Sequence, residues 1–159
     1  MTQTKDSAQQ VPVMSIKNLK KYFPVRGLKN RKLSLKAVDG VSLDIRPGET
    51  VGLVGESGCG KSTLGRTILG LQSATDGQIE FMGEEIAGYD TKKLRPLRQK
   101  MQIIFQDPYA SLDPRKTVFD LVRAPLDAFR IGTEEEKQQK TRQILEFVGL
   151  GEYQFYKFP

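Results

Sequence analysis

Gly55-Glu56-Ser57-Gly58-Cys59-Gly60-Lys61-Ser62-Thr63 is the stretch from which the fold is read. It fits the pattern G-x-x-x-x-G-K-[ST], with Gly55, Gly60, Lys61 and Ser62 in register. Glycines at 55, 58 and 60 allow the backbone to curl until successive N–H groups face one concavity, a nest for phosphate oxygens. Lys61 is long enough to reach the outermost phosphates of a polyphosphate, and the Ser62 hydroxyl is placed to ligate Mg²⁺. A helix opening near Gly60 would aim its positive dipole end at the same charge.

The flanks agree with the motif. Upstream, Glu49-Thr50-Val51-Gly52-Leu53-Val54 is a β-prone run introduced by the turn dipeptide Pro47-Gly48. Downstream, Leu64, Ile68, Leu69 and Leu71 recur at near-helical spacing until Gly70 and the polar Gln72–Gly77 stretch end the pattern. Strand, glycine-rich loop, helix is the order that phosphate binding requires, and it places the chain in the α/β class. A glycine-rich surface turn that happens to precede a lysine is the plainer alternative, and it leaves the flanks unexplained.

With 159 residues the chain has room for about one domain. Its composition, 38% hydrophobic and 28% charged, is that of an ordinary globular protein. No run approaches the roughly 18 consecutive apolar residues of a bilayer span. Residues 1–10 are polar and lack the apolar core of a secretory signal, so a frayed tail is expected there. Cys59 is the single cysteine, which excludes an internal disulfide and suits a reducing compartment. It occupies a variable position of the motif and reads as a small filler, since the chain has no histidine to activate a catalytic thiol.

The net charge of +6 is unevenly spread. No acidic residue lies between Ser7 and Val38, where Lys17, Lys20, Lys21, Arg26, Lys29, Arg31, Lys32 and Lys36 are all basic. Such a block can attract nucleotide phosphate, anionic headgroups or nucleic acid, but the default reading is a solvated basic loop. Few aromatics interleave with these charges, so no nucleic-acid partner is expected.

Along the chain, residues 11–19 alternate as a strand, 26–36 read as a loop or hairpin ends, and Asp39-Gly40 reads as a tight turn before a strand at 41–45. A strand is expected at 77–81, a short basic helix at 92–99 limited by Pro96, and a buried strand at 101–105. Thr117 with Asp120 begins one helix, and Thr133-x-x-Glu136 matches a capping box for a second that closes before Gly149.

Four segments together carry a family resemblance over nearly the whole chain: residues 18–25, residues 37–43 leading into the phosphate loop, Phe105-Gln106-Asp107-Pro108-Tyr109-Ala110-Ser111-Leu112-Asp113-Pro114-Arg115, and residues 149–159. The chain resembles the first half of a nucleotide-binding subunit of an ABC transporter, in the branch of bacterial oligopeptide and dipeptide importer ATPases. The resemblance implies a P-loop NTPase core, incomplete, with an antiparallel β subdomain and part of a helical subdomain. The expected division is a tail at 1–10, the nucleotide-binding core with its β subdomain at 11–106, and the start of the helical subdomain at 107–159.

The resemblance also implies site residues. Tyr22 matches the aromatic position that stacks on adenine, with Phe23 as its nearest competitor and simple packing on the strand as the plain alternative. Gly55, Glu56, Ser57, Gly58, Cys59, Gly60, Lys61, Ser62 and Thr63 would hold ATP, with Mg²⁺ on Ser62. Gln106 matches the family's glutamine loop, where its amide would stand near the metal and the attacking water, so Lys61 and Gln106 are the catalytic candidates. A rival reading makes Asp107 the acid of the metal shell. The implied partners are transmembrane permease subunits and a second ATP-binding subunit. The implied location is peripheral, at the cytoplasmic face of the bacterial inner membrane.

Other family features are missing from the sequence. No four-residue apolar run ends in Asp-Glu, no Ser-Gly-Gly occurs, and no switch histidine exists. Pro159 falls where the family continues towards its signature motif, so the expectation is a truncated product or partial sequence, marginally stable alone and weak for ATP. A nucleotide-binding fragment that does not hydrolyse, and a different P-loop ATPase or kinase, are the alternatives to an importer ATPase.

Overall fold

The computed structural model describes residues 11–26, 32–107 and 109–159. The tail at 1–10, Lys29 and Arg31 of the basic block, and Pro108 lie outside them. The described residues up to Ile103 form one compact unit, and those from Ile104 onward form a second.

The first unit is built on a four-stranded antiparallel sheet in the order β2-β1-β3-β4. Its strands are β1 (Met14–Arg26), β2 (Lys32–Ile45), β3 (Asp76–Phe81) and β4 (Glu84–Glu85). Alternation puts Met14, Ile16, Ile79 and Phe81 on one face, where they pack with Leu19, Val38, Ile86, Leu94 and Met101. Helix α1 (Lys61–Ile68) docks on this core through Leu64 and Thr67, both buried. Thr67 returns its hydroxyl hydrogen bond to the Thr63 carbonyl at 2.8 Å, which satisfies the polar group inside. Helix α2 (Thr91–Leu94) is capped by Asp90, whose carboxylate accepts from Lys93 N–H at 2.8 Å; after Pro96 the chain continues as a 3₁₀ turn at Leu97–Gln99.

The ladder between β1 and β2 slips three times. β1 carries an extra residue near Asn18, which adopts a left-handed φ of 50°. β3 answers with Gly77, where a Cβ would come 2.5 Å from the Asn18 carbonyl oxygen. β2 carries extra residues at Gly40 and Ala37, one on each side of Val38-Asp39. Pro24 is accommodated inside β1 because β3 pairs only as far as Lys20, leaving β2 alone beside it.

The second unit contains α3 (Val118–Phe129), α4 (Glu134–Phe147) and α5 (Glu152–Phe155). Thr117 caps α3 by accepting from Asp120 N–H at 3.1 Å. Thr133 and Glu136 form a reciprocal capping box at the start of α4. Leu145 and Phe155 are buried, and Phe119 lies 6.1 Å from the Phe155 ring. Arg123, Asp127, Glu134 and Lys137 tie α3 to α4 through a chain of ion pairs.

Four expectations from sequence need correcting. Residues 32–36 belong to β2 and pair with the end of β1 at Arg26, as hairpin ends do, so the basic block lies largely on strands and the solvated-loop reading is replaced. Lys17 pairs with Glu80 at 3.0 Å and Lys20 with Asp76 at 2.8 Å, acids contributed by β3. Asp39-Gly40 is no turn: Gly40, at φ 79°, is a bulge within β2. Finally, neither 49–54 nor 101–105 joins a ladder among the described residues. A strand exists by pairing, and apolar character alone does not supply a partner; Val54 and Ile104 are 95% and 97% exposed.

Gly77→Ala should destabilise the first unit by about 1–3 kcal/mol, since it adds both a clash and a strained left-handed residue. Gly65→Ala, inside α1 with open space around its Cβ, should stabilise by about 0.5–1 kcal/mol. Thermal melts followed by far-ultraviolet circular dichroism check both signs.

Candidate functional site

The chain leaves β2 at Ile45, passes a turn at Pro47-Gly48 and enters the loop that ends in α1. Gly60 is the N-cap of α1 with φ 99°, a left-handed conformation that suits glycine. Its Cα lies so close to β2 that a Cβ would overlap the Ala37 carbonyl oxygen. That carbonyl belongs to the bulged residue of β2, so the bulge is what carries the sheet to the loop. A second close approach sits across the loop, where a Cβ on Gly55 would stand 2.8 Å from Cys59 Sγ.

Lys61 folds back over this loop. Its ammonium donates to the Gly55 carbonyl oxygen at 2.6 Å and to the Glu56 carbonyl oxygen, and lies 3.5 Å from Cys59 Sγ. No side chain caps the start of α1 and no acid stands in its first turn, so its positive end is left for an anion from outside the helix. Ser62 is exposed in that first turn. The arrangement fits a polyphosphate: the loop lies against β2 at Gly60, opens on the uncapped N-terminus of α1 and carries one ammonium. It also fits Mg²⁺ of the kind held by one hydroxyl and the phosphates themselves, which requires no cage of acids. Among the described residues no group of three or more His, Cys, Asp or Glu stands ready to hold a metal.

Beside the loop lies an open cleft of about 270 Å³. It is lined by Leu53 and Val54, by β2 at Ala37, Val38, Asp39 and Val41, and by Cys59, Gly60, Lys61 and Leu64 of the loop and α1. Tyr22 reaches the lip of this cleft through Asp39: its phenol donates to Asp39 Oδ1. Lys36 donates to Asp39 Oδ2 at 3.1 Å and its Nζ lies over the Tyr22 ring, 5.4 Å from the centroid. The hydrogen bonds to Tyr22 and Lys36 hold the Asp39 carboxyl below the usual carboxylate range. The same Asp39 contact, aided by burial, raises the Tyr22 phenol above its ordinary value. Asp39 likewise raises Lys36. The carboxylate contribution is therefore complete above the ordinary Asp value and is lost only as pH falls through the depressed one.

Of the residues singled out from sequence, the structure brings Cys59, Gly60 and Lys61 together with β2 at one cleft, with Tyr22 attached through Asp39. Phe23, the competing aromatic, has the Lys21 ammonium 4.9 Å from its ring centroid. Gln106 is exposed at a bend and belongs to the second unit, as does Asp107. Ala37 and Asp39 are not legible as site residues, since the dipeptide Asp39-Gly40 reads as a turn, and Lys36 enters only as one member of the basic block.

The ABC transporter family model matches residues 38–157. The oligopeptide transport ATP-binding proteins AppF and OppF of Bacillus subtilis (strain 168) are 46% and 48% identical over 147 and 150 residues, covering 91% and 92% of this chain and 45% and 47% of theirs. The chain thus spans about half the length of the curated relatives it matches. The ATP-binding cassette MJ0796, in a dimeric post-hydrolysis state bound to ADP and Pi, superposes with a TM-score of 0.75 at 27% identity over 92% of this chain and 61% of its own. A second structure of the same cassette, also dimeric, gives 0.73 at 26% identity.

Spectrophotometric titration of the five tyrosines should show Tyr22 ionising late, together with Tyr89, which Glu84 raises in the same way. Asp39→Ala removes the main cause and should move one late-ionising phenol back towards the ordinary range; an unchanged curve would exclude the contact in solution.

Proposed function

The chain belongs to the ABC transporter family, and from that footing we propose that it is the ATP-binding part of a peptide importer subunit, coupling ATP binding and hydrolysis to transport. One observation carries the reading: a capless helix N-terminus and the Lys61 ammonium meet at a loop that lies against β2 at Gly60. The likeness to oligopeptide transport ATP-binding proteins supports the cargo class. The dimeric cassettes support a second ATP-binding subunit as partner. Transmembrane permease subunits are the other partners proposed. No helix among the described residues is long and apolar enough to cross a membrane, in keeping with a peripheral place at the cytoplasmic face of the inner membrane.

In this reading the backbone of residues 57–63 cradles the phosphates of ATP, with Gly55, Glu56 and Cys59 completing the loop. Lys61 exchanges its carbonyl partners at Gly55 and Glu56 for the outer phosphates, a change from neutral acceptors to charged ones that favours binding. Ser62 and Gln106 would hold Mg²⁺, which when bound neutralises charge developing on the transferred phosphoryl group. Tyr22 offers its ring to the adenine, and Gln106 senses the γ-phosphate. The division at 11–106 and 107–159 assigns the nucleotide to the first part and the permease contact to the second.

Lys61→Ala should weaken ATP binding roughly 10- to 100-fold, the range expected for losing a charge-assisted contact. Equilibrium titration of the full chain checks it, and an unchanged affinity would overturn the assignment. Steady-state phosphate release on the same samples separates a hydrolysing chain from one that only binds.

A further inference from the structure

We propose that Asp39 is the positioning residue of the base platform, fixing the Tyr22 ring at the lip of the cleft, while Lys36 closes one ring face so that a purine stacks on the other. This rests on the reading of Tyr22 as the surface that receives the adenine.

Tyr22 is held at both ends. Its backbone N–H donates to Thr75 Oγ1 at 2.9 Å, and its phenol donates to Asp39 Oδ1. A ring anchored at its root and tip keeps one orientation before any ligand arrives, which removes part of the ordering cost of stacking. Asp39 is itself fixed by backbone geometry, since it lies between the two β2 bulges at Ala37 and Gly40. The residue opposite it in the ladder, Lys20, turns to Asp76 instead, at 2.8 Å. Asp39 thus gives one oxygen to the phenol and the other to Lys36.

A direct role for Asp39 on the ligand fits poorly. It is an anion lining the same cleft as Lys61, both its oxygens are engaged, and a carboxylate there repels phosphate. Its effect on a nucleotide must therefore run through Tyr22. The role of Lys36 comes from the same geometry: with its ammonium over the ring and bonded to Asp39, it occupies the π-face that a base would otherwise share.

The test is calorimetric titration of the full chain with Mg-ATP and, separately, with inorganic tripolyphosphate, which has the charge but no base. Asp39→Ala and Tyr22→Phe should each weaken ATP about three- to tenfold, the range for one lost hydrogen bond. Neither should weaken tripolyphosphate, and the two together should cost no more than either alone, because they remove the same contact. Asp39→Asn keeps an acceptor for the phenol and should recover most of the ATP affinity. Tyr22→Ala should weaken ATP roughly tenfold or more while leaving tripolyphosphate binding intact.

If Tyr22→Ala weakens ATP but Asp39→Ala does not, the positioning role is wrong and the base platform stands. Additive losses, or equal weakening of ATP and tripolyphosphate by Asp39→Ala, also overturn it. If Tyr22→Ala leaves ATP affinity unchanged, the base platform fails and the positioning role with it.

Discussion

The contact between Gly60 and the Ala37 carbonyl is the constraint on which the rest of the site depends. A β-carbon at position 60 cannot coexist with that oxygen, so the loop can lie against β2 only with glycine there. The left-handed backbone of Gly60 then sets the direction in which α1 departs. That direction places Leu64 in the core of the sheet and Lys61 over the carbonyls of Gly55 and Glu56. The loop is therefore held by backbone contact with the sheet and needs no side-chain cap, which leaves the end of α1 free of competing acceptors.

The features legible in the sequence are those encoded locally. The phosphate loop and the start of α1 come from nine consecutive residues, and the caps at Thr117 and Thr133 from residues three apart. β3 is short, with polar residues before it and a Met82-Gly83 turn after it, so its alternation suffices. The misreadings share a cause, dependence on partners distant in sequence. Gly40 has the positive φ of a turn glycine, and only pairing with β1 makes it a bulge. The basic block reads as unpaired because Glu80 and Asp76 lie 63 and 56 residues from the lysines they meet. Asp39 is not legible as a site residue for the same reason: its meaning comes from Tyr22, seventeen residues earlier on the neighbouring strand.

The runs at 49–54 and 101–105 show where hydrophobic pattern stops being informative. Both have the composition of strands buried on two faces, yet neither has a ladder partner among the described residues. Met101 alone of the second run is buried in the core, while Val51, Leu53 and Val54 of the first are exposed. Composition reports what a segment tolerates, whereas a strand is defined by the N–H and C=O groups beside it.

That exposed run also gives the cleft its character. Leu53 and Val54 line it together with the apolar Val38 and Val41, and the charges of Asp39 and Lys61 stand among them. A ligand satisfying this lining needs an apolar part and an anionic part joined over a short distance. A bare phosphate meets only the second requirement, and a planar aromatic only the first. A nucleotide meets both, so the proposed reading rests on the lining of the cleft as well as on the loop. The apolar lining also explains why the Tyr22 ring, rather than a hydrogen-bonding side chain, suits the lip: stacking and apolar contact both reward a base for its surface and discriminate little between bases.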